Sequence, residues 1–366
     1  MTAGGDEATT DRNGLEATVH RTTDGMDASQ LNNLVQQSDG GTLFHRHEWL
    51  AAVEEGLAGE ARHVVVRTDG NPVGLLANVA TAVPLPDGTD CRVADRIPLQ
   101  YVAPPPPGYG GPVVAGDTGE VLARLLDPAL LPDGTTLFHR VQSYESDALG
   151  YARTLEAMGY DARLAECTFF IDLRKDWETI LGEMSSSRRR AVRNAVDQEF
   201  SVEIEPLGAD LSRTYDRYHA NVDRVGGDRL PRAFLAALAE RLPDRVRVFT
   251  ATVDGREVGR YVYLLDDEGG VLHHWLSAIG DSDDFDRYPS ELLHREAIRW
   301  GIDRGYDRYS FGPVEPHYDN SVYRFKRRYG GTPVQSYRWE RGHIPVAWRA
   351  YNLARTWFRR SQIDAG

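Results

Sequence analysis

The sequence has few cysteines, few lysines and no long apolar run, and each shortage excludes a class of protein. Its two cysteines, Cys91 and Cys167, cannot build a disulfide framework or a cysteine-rich zinc site, so no metal is expected. A reduced, cytoplasmic setting is the simplest interpretation. No stretch of about eighteen apolar residues occurs, so no transmembrane helix is predicted.

The N-terminus lacks the features of a secretory signal. It is polar and acidic, with neither a basic start nor an apolar stretch. We therefore expect residues 1–27 to form a disordered tail.

Net positive charge is also absent. The formal net charge is −13, whereas proteins that coat nucleic acid are basic, so DNA is not an expected partner. A local basic patch could still bind phosphate groups. Lysine occurs only twice among 42 basic residues, at Lys175 and Lys326.

Apolar residues, by contrast, are abundant. They make up 41% of a chain of 366 residues, which is more material than one ordinary core holds. Two domains are therefore expected.

An internal repeat supports this division. The segments 63–77 and 248–262 each contain a β-rich run, an Asp-Gly turn and a second β-rich run with Val-Gly shortly after the turn. Asp69-Gly70 and Asp254-Gly255 predict hairpins, because a tight hairpin turn needs positive φ.

The segments around the two hairpins follow the same order. In the second half we predict helices over 209–222 and 231–241 before the hairpin, and then strand 271–279, helix 289–304, strand 309–311, helix 319–328 and strand 333–339. In the first half, helices over 28–37 and 47–57 precede the hairpin, and apolar stretches 97–102 and 111–114, helix 117–126, strand 136–141, helix 146–158 and strand 165–173 follow it. Residues 176–200 are predicted to be helical, as is the amphipathic segment 345–360.

This order of elements resembles the GNAT acyltransferase superfamily. Two such units in tandem are similar to the Fem-type peptidyltransferases and to related GNAT-like acetyltransferases of cell-envelope and exopolysaccharide pathways. The resemblance covers about residues 28–345. Four motifs carry it: Ser187-Arg-Arg-Arg-Ala-Val-Arg-Asn-Ala195, Tyr218 to Gly227, Gly301-Ile-Asp-Arg-Gly-Tyr-Asp-Arg-Tyr-Ser-Phe-Gly312 and Tyr323-Arg-Phe-Lys-Arg-Arg-Tyr-Gly330.

The resemblance implies an α/β (α+β) fold of two tandem GNAT-like units, each a mixed, mostly antiparallel sheet flanked by helices. We place the first unit at 28–174, the second, donor-binding and catalytic unit at 175–343, and a C-terminal amphipathic helix at 344–366. A packed helix is the commoner outcome for such a segment, although contact with a membrane surface is an alternative.

The resemblance also implies an acyl donor. Acetyltransferases of the superfamily carry a glycine-rich loop whose backbone N–H groups hold the pyrophosphate of coenzyme A, and here the corresponding stretch, 278–290, has one glycine and four aspartates. Fem-type relatives lack this loop and use aminoacyl-tRNA. Acetyl-CoA or another acyl-CoA is the expected co-substrate, with no tightly bound cofactor, and tRNA is the alternative donor.

Lys326 is the first candidate for catalysis. Acyl transfer passes through an oxyanion, and a positioned cation stabilises it; the resemblance implies that a lysine at this position polarises the donor carbonyl. The alternative is a surface charge on a basic helix. Phe325 is either a wall of the cleft or core, and Tyr323 from the same motif is a candidate for substrate binding.

The start of the helix at Pro289 is the second candidate site. Its first N–H groups lack partners within the helix and could hold a donor phosphate, together with Arg287 and Ser290. The alternative is that Asp286 or Ser290 caps the helix. His273 and His274 lie on the preceding strand and must face opposite sides of it, so His274 could line the same cleft.

The remaining candidates are basic or acidic residues without a decisive pattern. Arg189 and Arg193 share a helix face and could bind a phosphorylated acceptor, a nucleotide-linked sugar or tRNA, or could form a solvated face. Glu315 and His317 follow the strand that ends at Phe311 and are candidates for a general base. The loop 101–111 is expected to be structural, and the alternative that the resemblance implies is that its Gly-Gly-Pro passage lies near an acceptor groove.

These residues predict transfer of an acyl group, acetyl in the first instance, to an amine or hydroxyl of a small molecule or of a cell-envelope or polysaccharide precursor. Two alternatives remain open: aminoacyl-tRNA-dependent peptidyl transfer, and a binding module that uses the fold without chemistry.

Overall fold

The computed structural model describes residues 7–11, 14–83, 99–116, 118–131, 134–143, 148–279 and 282–364. Cys91, the start of the predicted stretch 97–102 and the first turn of the predicted helix 146–158 lie outside the described residues, as do Gly280 and Asp281 of the predicted donor loop.

The first half of the chain contains ten strands and four helices among the described residues. The strands are β1 (Glu7–Thr10), β2 (Glu16–His20), β3 (Glu60–Ala61), β4 (His63–Thr68), β5 (Asn71–Leu76), β6 (Val79–Ala82), β7 (Gln100–Ala103), β8 (Val113–Val114), β9 (Thr136–Ser143) and β10 (Asp161–Asp172). The helices are α1 (Ala28–Gln37), α2 (His47–Gly56), α3 (Thr118–Leu125) and α4 (Ala148–Ala157).

The second half repeats this plan. Its helices are α5 (Trp177–Glu183), α6 (Ser186–Val196), α7 (Leu211–Val225), α8 (Arg232–Arg241), α9 (Pro289–Arg304), α10 (Ser321–Arg327) and α11 (Pro345–Asp364). Its strands are β11 (Phe200–Pro206), β12 (Val246–Val253), β13 (Arg256–Asp266), β14 (Val271–Ala278), β15 (Arg308–Val314) and β16 (Thr332–Gly342).

The tandem α/β architecture is confirmed by the order of the elements. Each half runs through a strand, two helices, a hairpin, further strand structure (β6, β7 and β8 in the first half, β14 in the second), a helix, a strand, a helix and a last strand. The two hairpin turns have the same backbone conformation, with φ of 49° at both Asp69 and Asp254. Each half also contains one parallel pair, β7 with β9 and β14 with β15.

The two halves share one sheet because their last strands are exchanged. The described strands form an eleven-stranded sheet in the order β11-β12-β13-β14-β15-β10-β16-β9-β7-β6-β3. Strand β10, which ends the first half, pairs with β15 of the second half, and β16, which ends the second half, pairs with β9 of the first half. The boundary near residue 174 thus separates the halves in sequence and not in the sheet.

A pair of helices also joins the halves. Helices α2 and α8 pack closely, and a Cβ atom on Gly56 would lie 2.2 Å from the Cα atom of Phe234. Trp49 meets Phe234 edge to face, with ring centroids 5.8 Å apart. Glycine at position 56 therefore permits the backbones to approach, and aromatic packing stabilises the contact.

The expectation of a disordered tail over 1–27 is wrong for its later part. Residues 16–20 form β2, which pairs with β4 in a second, five-stranded sheet. Leu15, Ala17 and Val19 are buried. They alternate with polar residues, so one face of the segment packs on the core although its overall composition is polar.

Two other predictions need correction at their boundaries. The segment predicted as one helix over 176–200 is two helices, because the chain leaves α5 at Met184 and Ser185 caps α6 through the N–H of Arg188. The helix predicted from 319 begins at Ser321, after Asn320, whose side chain accepts from the N–H groups of Val322 and Tyr323.

The C-terminal amphipathic helix is confirmed as α11. The ring centroids of Trp348 and Tyr351 lie 5.0 and 5.6 Å from that of Phe138, whereas Leu353 and Trp357 are exposed. Among the residues that the structure describes, no helix is both long and apolar enough to cross a membrane. Contact of α11 with a membrane surface stays a prediction.

Candidate active site

A gap opens between β14 and β15. The two strands are paired in parallel only from Val271–His273 to Arg308–Ser310. Farther along, β14 continues beside β13, and β15 continues beside β10. The ladder between β14 and β15 thus ends at His273 and Ser310, and the gap is this break in their pairing.

Gly312 stands in β15 beside this gap. Its φ is +72°, and a Cβ atom here would lie 3.3 Å from the carbonyl oxygen of His274. Its N–H donates to the hydroxyl of Ser310 at 3.1 Å. A residue with a side chain would be strained in this conformation, whereas glycine adopts it readily. The backbone conformation of Gly312 sets the direction of its own carbonyl group and of that of Pro313.

Lys326 is held at this point by those carbonyl groups. Its Nζ donates to the carbonyl oxygens of Gly312 and Pro313, both at 2.9 Å. The residue is only 8% exposed, and burial lowers its pKa to about 8, against the charges of Cys167 and Glu166, which raise it. An ammonium has three N–H donors, so one remains for a further acceptor. The alternative of a surface charge is wrong, because the side chain is buried.

The two neighbouring histidines face opposite sides of β14, as predicted. The ring of His273 meets Phe44 at 5.3 Å, in the core between the halves. His274 packs on Tyr261 at 4.5 Å and lies near Ser277, whose Oγ is 3.1 Å from Nε2 of the histidine. Burial and the charge of Lys326 lower the pKa of His274 to about 3, so it is neutral at pH 7. Its place beside Lys326 fits the lining of the gap.

Phe325 belongs to a wall of stacked side chains. The guanidinium of Arg188 lies over the rings of Phe325 and Tyr329, at 4.6 and 4.5 Å. Arg188 is buried and donates to Glu291 on α9. These contacts tie α6 and α10 to α9, and they hold the turn of α10 that carries Lys326.

The start of α9 has no side-chain cap. Its N-cap residue is Tyr288, in the left-handed conformation with φ of 55°, and among the described residues no side chain accepts from the first N–H groups. Ser290 accepts from the hydroxyl of Tyr261 at 2.8 Å, and Nη1 of Arg287 lies 2.9 Å from Asp254. The alternative that Asp286 or Ser290 caps the helix is therefore wrong. Binding of a donor by Arg287 and Ser290 stays a prediction.

The other predicted residues lie on the periphery. Nη1 of Arg189 donates to the carbonyl groups of Gly182 and Met184, and so closes the end of α5, whereas Arg193 is exposed. Tyr323 packs on Phe169 with ring centroids 5.1 Å apart. Glu315 and His317 lie in an exposed turn after β15, where His317 is 4.0 Å from Asp319. Their roles stay predictions.

A pocket of about 400 Å³ lies on the side of the sheet that α2 covers, and it includes Tyr101 and Pro104 of the loop considered above; Lys326 is not one of its lining residues. Its charged and amide lining residues are Arg140, Gln142, Glu166 and Arg338. Their neighbours along the chain give no signal that could have found them, because β9 and β10 contain other polar and charged residues, such as His139 and Arg163. No group of three or more His, Cys, Asp or Glu side chains arranged to hold a metal occurs among the described residues.

Comparisons with known proteins agree with this architecture. Residues 184–327, less than half of the chain, match the family model described as an acetyltransferase (GNAT) domain. The match includes α6, α9, the gap and Lys326. No curated protein sequence matches the chain.

Several solved structures share the fold of nearly the whole chain. The structure of FemX has a TM-score of 0.65 and 14% identity, over 86% of this chain and 96% of that one. L-PGS from Bacillus licheniformis has a TM-score of 0.54 and 12% identity, over 88% and 94%. A tandem GNAT protein from the clavulanic acid biosynthesis pathway has a TM-score of 0.53 and 13% identity, over 90% and 98%. Residues 184–327 are thus a GNAT domain, in a chain that has the fold of the tandem GNAT proteins.

Proposed function

We propose that this protein is an acyltransferase that moves an acyl group, acetyl in the first instance, from an acyl-CoA to an amine or hydroxyl. The acceptor belongs to a small molecule or to a cell-envelope or polysaccharide precursor. One observation carries the proposal: Lys326 is fixed by two carbonyl groups at the gap, with one N–H left over.

The chemistry follows from this geometry. The acceptor attacks the carbonyl carbon of the thioester, and the carbonyl oxygen becomes an oxyanion. A cation that is already in position needs no reorganisation to stabilise that oxygen, and it acts in a buried site from which water is excluded. Collapse of the intermediate breaks the carbon–sulfur bond, and the thiolate of coenzyme A leaves.

The start of α9 supports the donor side of the proposal. Its first N–H groups have no side-chain cap and carry the positive end of the helix dipole, so they suit a phosphate. Helix α6 lies beside it: Asn194 donates to the hydroxyl of Tyr288 at 3.3 Å. Arg190, one turn before Asn194, is exposed and could reach an anionic donor.

An aminoacyl-tRNA donor is the second candidate. Arg287 is already engaged by Asp254, and the segment before α9 carries Asp283, Asp284 and Asp286. This acidic approach suits the diphosphate of coenzyme A poorly. Arg190 and Arg193, both exposed on α6, would instead meet a polynucleotide backbone.

Thermal unfolding in the presence of acetyl-CoA separates these donors. A ligand at 1,000 times its Kd stabilises the folded state by about 4 kcal/mol, which raises the midpoint by several degrees. Acetyl-CoA at millimolar concentration should raise the midpoint in this way. Desulfo-CoA is the matched control, which tests binding of the nucleotide part alone. No shift with either compound would overturn the acyl-CoA proposal and favour the tRNA donor or a binding module.

A further inference from the structure

The pocket lined by Arg140, Gln142, Glu166 and Arg338, which we name the inter-unit pocket, is built by both halves of the chain. Strands β7, β9, β10 and β16 form its floor, with Tyr101, Arg140, Gln142, Glu166 and Arg338 directed to it. Val53 and Leu57 of α2 form an apolar wall, and residues 104–108 close one side. Its volume of about 400 Å³ accommodates a small ligand.

The floor of the pocket carries excess positive charge. Arg140 donates to Glu340 from Nε at 3.1 Å and from Nη2 at 2.8 Å, and its guanidinium lies over Tyr101 at 5.4 Å. Arg355 donates to the same carboxylate at 2.7 Å. Because one buried carboxylate serves two guanidinium groups, about one positive charge remains uncompensated.

Arg338 adds a second incompletely paired cation. Its Nε donates to Oε1 of Gln142 at 3.1 Å. Within the part of the chain that the structure describes, no carboxylate lies within ion-pair distance of Arg338, and its two Nη groups have no acceptor. Burial and the charge of Arg140 lower the pKa of Arg338, against the charges of Glu340 and Glu166, which raise it.

A carboxylate lies at the other end of this hydrogen-bonded row. Nε2 of Gln142 donates to Oε2 of Glu166 at 3.2 Å, so Gln142 links Arg338 to Glu166. Glu166 also lies close enough to Lys326 for its charge to act on the ammonium. Thr168, two residues farther along β10, pairs with Pro313, whose carbonyl holds Lys326. Glu166 is therefore the end of the row nearest the proposed reaction.

We infer that the inter-unit pocket binds the acceptor, and that the acceptor is an amine which also carries an anionic group, a carboxylate or a phosphate. Arg338 and Arg140 bind the anion, since guanidinium groups match both oxyanions. Glu166 binds the ammonium. This inference rests on the proposed acyl transfer, because it assigns the second substrate of that reaction.

The assignment gives Glu166 a defined step. The ammonium of the acceptor loses one proton to the Glu166 carboxylate, and the free amine attacks the acyl carbonyl carbon near Lys326. A carbon–nitrogen bond forms, the carbon–sulfur bond of the thioester breaks, and the second ammonium proton leaves with the departing thiolate. The products are an amide and the free thiol of coenzyme A.

Binding of matched probes, measured by calorimetry without any donor, tests the inference. The probes are β-alanine against β-alaninamide, Ala-Ala against its C-terminal amide, and O-phosphoethanolamine against ethanolamine. At least one anionic probe should bind tenfold or more tightly than its neutral partner. Tighter binding of the anionic probe in the carboxylate pairs identifies a carboxylate as the anion, and tighter binding in the phosphate pair identifies a phosphate.

Three variants and one control variant locate the interaction. Arg338→Met should abolish the preference for the anionic probe, and Arg338→Lys should retain part of it. Glu166→Gln should weaken binding of every amine while the preference remains. Arg349→Met, which removes an exposed arginine of α11 away from the pocket, should change nothing.

The outcomes separate the two proposals. The inference is overturned if no anionic probe binds the wild-type protein better than its neutral partner, a comparison that needs no variant. It is also overturned if Arg338→Met keeps the preference. If anionic amines bind but acetyl-CoA does not, the acyl-CoA proposal fails while the pocket assignment stands. If acetyl-CoA binds and no amine does, the pocket assignment alone fails.

Discussion

The Nζ atom of Lys326 lies 2.9 Å from the carbonyl oxygen of Gly312, and this contact joins the chemistry of the site to its backbone. Gly312 adopts a conformation that residues with a side chain rarely adopt, and it lies close to β14, where the carbonyl oxygen of His274 would be 3.3 Å from a Cβ atom. The lysine thus satisfies two carbonyl groups of β15 and is itself positioned by them.

Replacement of Lys326 by Met should lower acyl transfer by about tenfold to a thousandfold, because the oxyanion loses its fixed cation. The chain provides a matched control: Lys175, the other lysine, is partly exposed and pairs with Glu183 at 2.6 Å, so Lys175→Met should leave the rate unchanged. Release of thiol from the donor measures the acyl-transfer rates of both variants. Full activity of Lys326→Met would remove the catalytic role.

The buried ammonium also predicts a pH dependence of stability. Folding lowers the pKa of Lys326 from 10.5 to about 8, so between these values the unfolded chain binds more protons and the free energy of unfolding rises with pH. Below about pH 8 the cost of burying the charge is present in full. From pH 7 to pH 10, wild type should therefore gain about 2 kcal/mol relative to Lys326→Met.

Urea unfolding of both proteins at the two pH values measures this difference. Lys175→Met serves as the comparison for a lysine at the surface. A stability difference between wild type and Lys326→Met that stays constant with pH would contradict a lowered pKa.

Replacement of Gly312 by Ala should reduce both stability and activity. Positive φ alone costs about 1 kcal/mol for alanine, and the Cβ atom would also press on the carbonyl of His274. Gly255, with φ of +75° and open space within 4 Å of where a Cβ atom would lie, isolates the cost of the backbone conformation. Gly255→Ala should thus lose about 1 kcal/mol and keep its activity.

Thermal unfolding and thiol release are measured on both glycine variants. Equal activity of Gly312→Ala and Gly255→Ala would show that the position of the Gly312 carbonyl does not matter to the reaction.

Two adjacent arginines of α6 should differ in importance. Arg188→Met leaves Glu291 without its buried partner and removes the cation from two rings, a loss of about 3 kcal/mol. Arg189→Met removes hydrogen bonds to two carbonyl groups at the end of α5, a loss of about 1 kcal/mol. Denaturant unfolding compares them, and a larger loss for Arg189→Met would contradict the packing described for α6.

The fold was largely predictable where the pattern is local. The hairpin turns at Asp69 and Asp254, the helices before them and α9 were expected from turn residues and apolar spacing, and they are present. Strand β2 was missed, because alternate apolar residues in a polar segment give a weak signal over five positions.

The candidate site was predictable only in part. Lys326 was indicated by its rarity and by its motif, and the structure gives it a buried position. Ser290 and Arg287 were expected to face a ligand, yet each already has a partner within the protein. Glu166 and Arg338 were not indicated, because nothing in their neighbours along the chain marks them.

The sequence by itself determined the order of helices and strands, the duplication, and the residue types available for chemistry, since these depend on neighbours along the chain. Only the tertiary structure decided that β10 and β16 exchange places, and thereby that Glu166 and Arg338 line one pocket. Either strand could hydrogen-bond to the open edge of either half. The choice between them is made by burial of both faces of the completed sheet, which is a property of the whole chain.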